Sequence, residues 1–192
     1  MQIQVRDGVF DDGAAALEPT LSWETSTKSG DVSYNFGLEA DARPTADLAS
    51  LPKSFWGKAS KSFGAWGVTA KATVDAGDFS SADVEINAEN SGDDLSIKVD
   101  ATAGSQFAVS KVEATKGFDS GDARITVNPR FDMASKETDV VIGYEAGKTS
   151  VDITASKEEQ EVTVSQQLDA DNKVSPSFAL RSGKMSVEWQ RR

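Results

Sequence analysis

Alternation of apolar and polar residues, with turn residues at close intervals, is the feature that most constrains this chain. From residue 82 onward, large apolar side chains occupy every second position of short runs, as in Val84 and Ile86 and in Leu95, Ile97 and Val99. A period of two places successive side chains on opposite faces of a β-strand. The pattern therefore predicts a chain composed mainly of β-strands.

The segments between these runs are short and rich in turn residues, for example DSGD at 119–122, EAGK at 145–148 and RSGK at 181–184. Connections this short join neighbouring strands antiparallel, because parallel pairing needs a crossover of about a dozen residues or more. The same alternation occurs in residues 17–38 and 66–74. We predict an all-β fold, an antiparallel up-and-down meander of short strands.

One longer connection interrupts the first half of the chain. Near residues 43–64, Thr45 is a suitable N-cap and Pro52 a suitable first helical residue. We predict that this connection is partly helical.

The chain is interpreted as a single β-rich domain over residues 1–192, with two related halves, 17–118 and 122–192. An internal sequence repeat supports the halves. The same pattern, a proline, alternating apolar residues, a polar turn and a second strand, follows each of Glu18, Asn128 and Ser175. The general likeness of any two β-hairpins explains this repeat equally well.

Composition excludes several classes of function. The chain has 31 acidic and 20 basic residues, a net charge of −11, which argues against nucleic acid as a partner. It has no Cys and no His, and therefore no thiolate nucleophile and no zinc site of the usual kind. The segment LDADNK at 168–173 lacks the glycine and the acid of a calcium loop, since Val174 and Leu180 occupy those places. We expect no enzyme activity, no cofactor and no metal.

A cationic, aromatic segment stands out against this acidic background. Residues 48–74, LASLPKSFWGKASKSFGAWGVTAKATV, contain four lysines and no acidic residue. Lysines around aromatic anchors complement the acidic remainder, which predicts a contact between copies of the chain that repeats as an open array. The alternative is that the aromatic side chains fill the core. The candidate subunit-contact residues are Lys53, Phe55, Trp56, Lys58, Lys61, Phe63 and Trp66.

Several segments resemble one protein family. ARPTADLASLPKSFWGKASKSFGAWGVTAKA, KVEATKGFDS, ARITVNPRFDM, VTVSQQLDADNKVSPSF and SVEWQ are similar to the pyrenoid shell proteins of diatoms, over about residues 17–189. The resemblance implies a structural protein that assembles edge to edge into a thin sheet around the Rubisco matrix in the chloroplast and supports CO2 fixation. Its partners would be copies of itself and the Rubisco matrix. Residues 1–10 have the features of neither a signal peptide nor a transit peptide.

A membrane β-barrel or pore-type protein is the alternative function, because alternating strands also suit lipid on one face and water on the other. Two arguments count against it: most runs contain only two or three large apolar residues, and the aromatic residues do not visibly recur at both ends of the strands. A membrane is therefore not the expected partner. A soluble carbohydrate-binding module, using Trp23, Trp56 or Trp66, is a weaker alternative.

Overall fold

The computed structural model describes residues 2–6, 18–41 and 52–191, and all regular structure in these ranges is β-strand. The all-β prediction is confirmed. The strands are β1 (Gln2–Arg6), β2 (Glu18–Ser29), β3 (Val32–Asp41), β4 (Pro52–Phe63), β5 (Trp66–Asp75), β6 (Asp78–Asn90), β7 (Leu95–Ala103), β8 (Phe107–Ser120), β9 (Ala123–Asp132), β10 (Glu137–Ala146), β11 (Thr149–Ser156), β12 (Gln160–Gln167), β13 (Asn172–Ala179) and β14 (Met185–Arg191).

Sheet order follows sequence order from β1 to β14, and the pairs from β1 to β5 and from β8 to β14 have an antiparallel register. This is the predicted meander. Four two-residue loops begin with a glycine of positive φ, for example those at Gly64 (φ 61°) and Gly121 (φ 62°). Glycine at the first loop position is typical of type II′ turns, whose twist matches that of the flanking strands.

The prediction of a partly helical connection is wrong where it can be tested. Residues 52–63 form strand β4, paired on both sides with β3 and β5, whereas residues 42–51 lie outside the described ranges. Hydrogen bonding to two neighbouring strands outweighs the local capping signals, because propensity is a weak prior that tertiary context overrides. Ala40 pairs with Pro52 and Glu39 with Ser54, so Lys53 is the extra residue of a β-bulge.

The chain divides into two compact units. Unit 1 comprises Met1–Asn87 and Asp100–Ala108, and unit 2 comprises Ala88–Val99 and Val109–Arg192. Strands β2 to β5 lie in unit 1 and β9 to β14 in unit 2, while β6, β7 and β8 contribute residues to both. The two related halves proposed from the sequence remain a prediction.

Neither unit has an ordinary hydrophobic core in its described residues. Ala101 is the one apolar residue there that is buried, whereas twenty large apolar side chains are exposed, including Phe79, Met185 and Trp189 at about 70%. The described residues include no helix of the length and apolar character needed to span a membrane.

Candidate functional site

In unit 1, strands β2 to β5 form a sheet with one apolar and one polar face. Residues directly opposite each other in an antiparallel pair lie on the same face, and neighbours along a strand lie on opposite faces. Following the register from Trp23 through Leu38 and Phe55 to Val74 therefore traces one face. We call this the apolar face of unit 1; its large side chains are Leu21, Trp23, Val32, Tyr34, Phe36, Leu38, Phe55, Phe63, Trp66, Val68 and Val74.

Unit 2 has the same division. One row of opposed residues across β8 to β12 is Phe118, Ile125, Tyr144, Val151 and Val164. The next row, across β9 to β14, is Val127, Ile142, Ile153, Val162, Phe178 and Met185. We call this the apolar face of unit 2. Seven of these eleven side chains are exposed.

Carboxylates are confined to the polar faces. In β2 to β5 and β8 to β14, the register places every Asp and Glu on the face opposite the apolar one. A water-exposed face of this breadth normally carries charges of both signs. The apolar faces are therefore unlike ordinary solvated protein surface.

Several aromatic side chains on the apolar faces lie near the strand ends. In unit 1, Phe63 and Trp66 flank the loop between β4 and β5, and Phe55 near the opposite end lies 5.9 Å from the ring of Phe79. Tyr34 and Phe36 of the same face lie in middle rows, opposite Ala59 and Gly57 of β4. In unit 2, Tyr144 lies near one end of the sheet and Phe131 near the other. Phe118 and Trp189 share the end of Tyr144, whereas Phe178 lies in the row of Ile142.

A lysine accompanies an aromatic ring on each apolar face. The ammonium of Lys61 lies 5.0 Å from the ring centroid of Phe63, and that of Lys116 lies 5.5 Å from that of Phe118. Both pairs stand near the end of a strand. This arrangement suits a boundary between apolar and aqueous phases, because the lysine stem covers apolar surface while its charge reaches water.

The polar face of unit 2 carries a dense network of charged and hydroxyl groups. Arg130 donates two hydrogen bonds to the carboxylate of Asp139, each of 2.7 Å, and this pairing raises the pKa of the guanidinium. Hydroxyl pairs link β12 to β13, at 2.7 Å for Thr163 with Ser177 and 2.8 Å for Ser165 with Ser175. A groove of about 410 Å³ on this face is lined by Lys111, Arg130, Asp132, Ser135, Glu137, Asp139 and Ser156.

Some positions on the polar faces are well sheltered. Ser165, on the polar face of unit 2, is 6% exposed, whereas Val164 beside it on the apolar face is 37% exposed. Gly37 of unit 1 and Gly143 of unit 2 are buried on their polar faces beneath neighbouring side chains. A Cβ at Gly37 would overlap the indole of Trp56, and one at Gly143 would overlap the hydroxyl of Thr126. At these positions the polar face is more buried than the apolar face beside it.

Strand alternation divides the predicted subunit-contact residues between the two faces of unit 1. Phe55, Lys61, Phe63 and Trp66 lie on the apolar face, Trp56 and Lys58 lie on the polar face, and Lys53 is in the bulge. Phe55 and Phe63 are 38% and 55% exposed, so they do not fill a core. The seven residues form two surfaces and not one patch; whether either contacts a second copy stays a prediction.

Comparison with protein-family models, curated proteins and solved structures gives no match. Geometry must therefore carry the functional argument. Across the described ranges, no group of three or more His, Cys, Asp and Glu side chains is arranged to hold a metal ion.

In each unit the sheet separates two environments. The apolar face can contact hydrocarbon, while the polar face can hold water and ions. Sequence reasoning missed that several aromatic residues lie near strand ends, because this depends on where each strand begins and ends. The sequence does contain a signal for this placement, because several aromatic residues, such as Phe63, Trp66 and Phe118, stand within a few positions of a turn.

Proposed function

We propose that this chain is a membrane-embedded β protein of the pore type, with lipid against its apolar faces and water against its polar faces. One observation carries the proposal: fourteen of the twenty exposed large apolar side chains lie on the apolar face of their own unit, from which all carboxylates of the registered strands are absent. Transmembrane sheets alternate apolar residues towards lipid and polar residues towards the interior in this way.

Strand length supports the proposal. Strands that cross a membrane need about 9–11 residues, and β2 to β10 each have between 9 and 14. The sequence argument from short apolar runs therefore does not hold for β2 to β10, where Ala, Gly, Ser and Thr extend the runs, whereas β11 to β14 have 7 or 8 residues each. Phe55 and Phe63 are eight residues apart on β4, a distance of about 27 Å along the strand. For a strand tilted by about 40° from the membrane normal, this corresponds to about 21 Å along the normal. Membrane barrels have an apolar band about 25 Å tall.

The free energy at stake is large. Transfer of one large apolar side chain from water into an apolar phase gains about 1.5–3 kcal/mol when the side chain is fully exposed beforehand. About half of that gain per residue, over the fourteen exposed side chains on the apolar faces, amounts to roughly 15 kcal/mol. Net stabilities of folded proteins are about 5–15 kcal/mol. Covering the apolar faces is therefore decisive for this fold.

Reconstitution tests the proposal. The full chain, refolded in nonionic detergent, is mixed with phospholipid, the detergent is removed, and the vesicles are floated on a density gradient. We expect the protein to float with the vesicles, to resist extraction by carbonate and to produce discrete conductance steps in planar bilayers. Recovery of folded, monodisperse protein in buffer without detergent, and no conductance, would contradict the proposal.

A second candidate is a self-assembling structural protein that forms a sheet-like shell around the Rubisco matrix of the chloroplast pyrenoid and supports CO2 fixation. Its support is the family resemblance, together with apolar faces that two copies would cover by packing face to face, about 10 Å apart. Negative-stain microscopy of concentrated protein without detergent separates the two candidates. Regular sheets or tubes favour the shell, whereas a requirement for lipid or detergent favours the membrane protein.

A further inference from the structure

Two lysines face each other on the polar face of unit 1. Lys58 of β4 and Lys71 of β5 are directly opposed in the antiparallel register, which places their Cβ atoms about 4.5–5.5 Å apart. Like charges in this position destabilise a sheet. Among the described residues, neither ammonium forms an ion pair with a carboxylate.

Three basic residues on the polar face of unit 2 differ in this respect. Arg124 pairs with Asp94 and Asp119, Arg130 pairs with Asp139, and Lys111 pairs with Glu113. The sequence thus neutralises these cations on the polar face of unit 2 and sets two against each other on the polar face of unit 1. An anion placed between or above the two ammonium groups would offset their mutual repulsion.

Polar groups suited to an anion surround the two lysines. Ser60 and Thr69, opposed in the row nearer the loop between β4 and β5, have hydroxyl oxygens 3.1 Å apart. Asn35 is opposite Lys58 on the neighbouring strand β3, and its amide donates a hydrogen bond of 2.9 Å to Glu24, so it is not available to an anion. Trp56 is two residues before Lys58, with the ammonium of Lys71 5.4 Å from its ring centroid.

We propose that Lys58 and Lys71 form a binding site for the phosphate group of a small anionic solute. A phosphate group carries a charge of about −1.5 to −2 near neutral pH and accepts several hydrogen bonds, which matches two ammonium groups with hydroxyls beside them. The site lies on the face opposite the apolar side chains, so its ligand comes from water and not from a lipid headgroup. This inference goes beyond the proposed function and does not require conduction, because binding can be measured on the full chain in detergent.

Inorganic pyrophosphate is the probe. Calorimetric titration of the full chain in nonionic detergent, at low ionic strength, should give saturable binding of one pyrophosphate. The double variant Lys58→Gln, Lys71→Gln should bind pyrophosphate at least about tenfold more weakly, because charge-assisted hydrogen bonds are lost. Lys61→Gln is the matched control, since Lys61 is on the same strand but on the apolar face; it should bind like the unchanged protein. Absence of saturable binding, or equal loss in the control, overturns the proposal.

Charge reversal separates loss of the site from loss of the fold. Lys58→Glu places a carboxylate opposite Lys71, so the melting temperature should rise while pyrophosphate binding disappears. Pyrophosphate bound by this variant as tightly as by the unchanged protein would overturn the proposal. Binding to anionic lipid micelles without binding of free pyrophosphate would also overturn it, in favour of a headgroup site. If the protein binds pyrophosphate but shows no conductance in bilayers, the result would count against the proposed pore and not against the phosphate site.

Discussion

At the scale of single residues, Asp132 shows how the turns of this sheet are stabilised. Its carboxylate accepts hydrogen bonds from the backbone N–H groups of Ser135, at 2.8 Å, and Ala134, at 2.9 Å, and from the hydroxyl of Ser135. These bonds hold the pKa of Asp132 below its ordinary value, with the backbone bond from Ser135 as the largest cause. The aspartate thereby closes the turn between β9 and β10, where Lys136 has a positive φ of 58°.

Replacement of Asp132 by Ala should lower the melting temperature at neutral pH. Because the folded-state pKa is depressed, the stabilisation is complete above the ordinary aspartate pKa of about 3.9 and is lost as the pH falls through the lower folded-state pKa. The difference in melting temperature between the two proteins should therefore shrink on acidification. Asp122→Ala, in a two-residue loop, is the control and should lower the melting temperature at neutral pH by less. A difference for Asp132→Ala that stays constant into strong acid would contradict this account.

At the scale of strands, β3 and β4 interlock through two glycine and aromatic pairs on opposite faces. Trp56 is opposite Gly37 on the polar face, and Phe36 is opposite Gly57 on the apolar face. The indole of Trp56 occupies the space in which a Cβ at Gly37 would lie, whereas a Cβ at Gly57 would meet the ring of Phe36 at 3.5 Å, an ordinary contact. The aromatic ring compensates for the missing side chain on the polar face.

Gly37→Ala should therefore destabilise the protein by about 1–3 kcal/mol, the usual cost of forcing extra volume into a filled space. Gly57→Ala is the matched control and should cost less, because the neighbouring ring leaves room for a methyl group. Urea titration in detergent measures both. Combining Gly37→Ala with Trp56→Ala should give less destabilisation than the sum of the single changes. Simple additivity would show that the indole does not occupy the Gly37 site.

Much of the strand pattern was predictable, and the exceptions have a clear cause. The alternation around Ile142 and the loop sequence EAGK predict β10 and β11 correctly, since both signals are local. The segment from Pro52 to Phe63 was predicted as partly helical because Thr45 and Pro52 are local capping signals. Its alternation of apolar and polar residues is hard to recognise, because Gly, Ala and Ser occupy many of its positions. Its strand state depends on hydrogen bonds to β3 and β5, which no single segment displays.

At the scale of the whole molecule, the question is which phase covers the apolar faces. Ile142, in the middle of β10, is opposite Val127 and Ile153 on the apolar face of unit 2 and is 38% exposed. Val141, one residue earlier, is opposite Asn128 and Thr154 on the polar face. The same substitution at Ile142 and at Val141 therefore compares the environment of the apolar face with that of the polar face.

Ile142→Arg should destabilise the protein in lipid vesicles by about 2–4 kcal/mol, the cost of arginine near the middle of the lipid face of a membrane barrel. Val141→Arg should cost much less, because its side chain faces water. Urea titration of vesicle-bound protein measures both. An Ile142→Arg protein as stable as Val141→Arg, or more soluble without detergent, would show that lipid does not cover this face.

The sequence by itself determined most of the strands, their antiparallel order and most of the turns, because a period of two and glycine-containing loops act over a few residues. It also predicted the seven candidate contact residues as one group. Only the tertiary structure decided that residues 52–63 form a strand, which places Phe55 and Trp56 on opposite faces, and that Lys58 opposes Lys71. Both features depend on hydrogen bonds to neighbouring strands, and the register of those bonds fixes which residues are opposed.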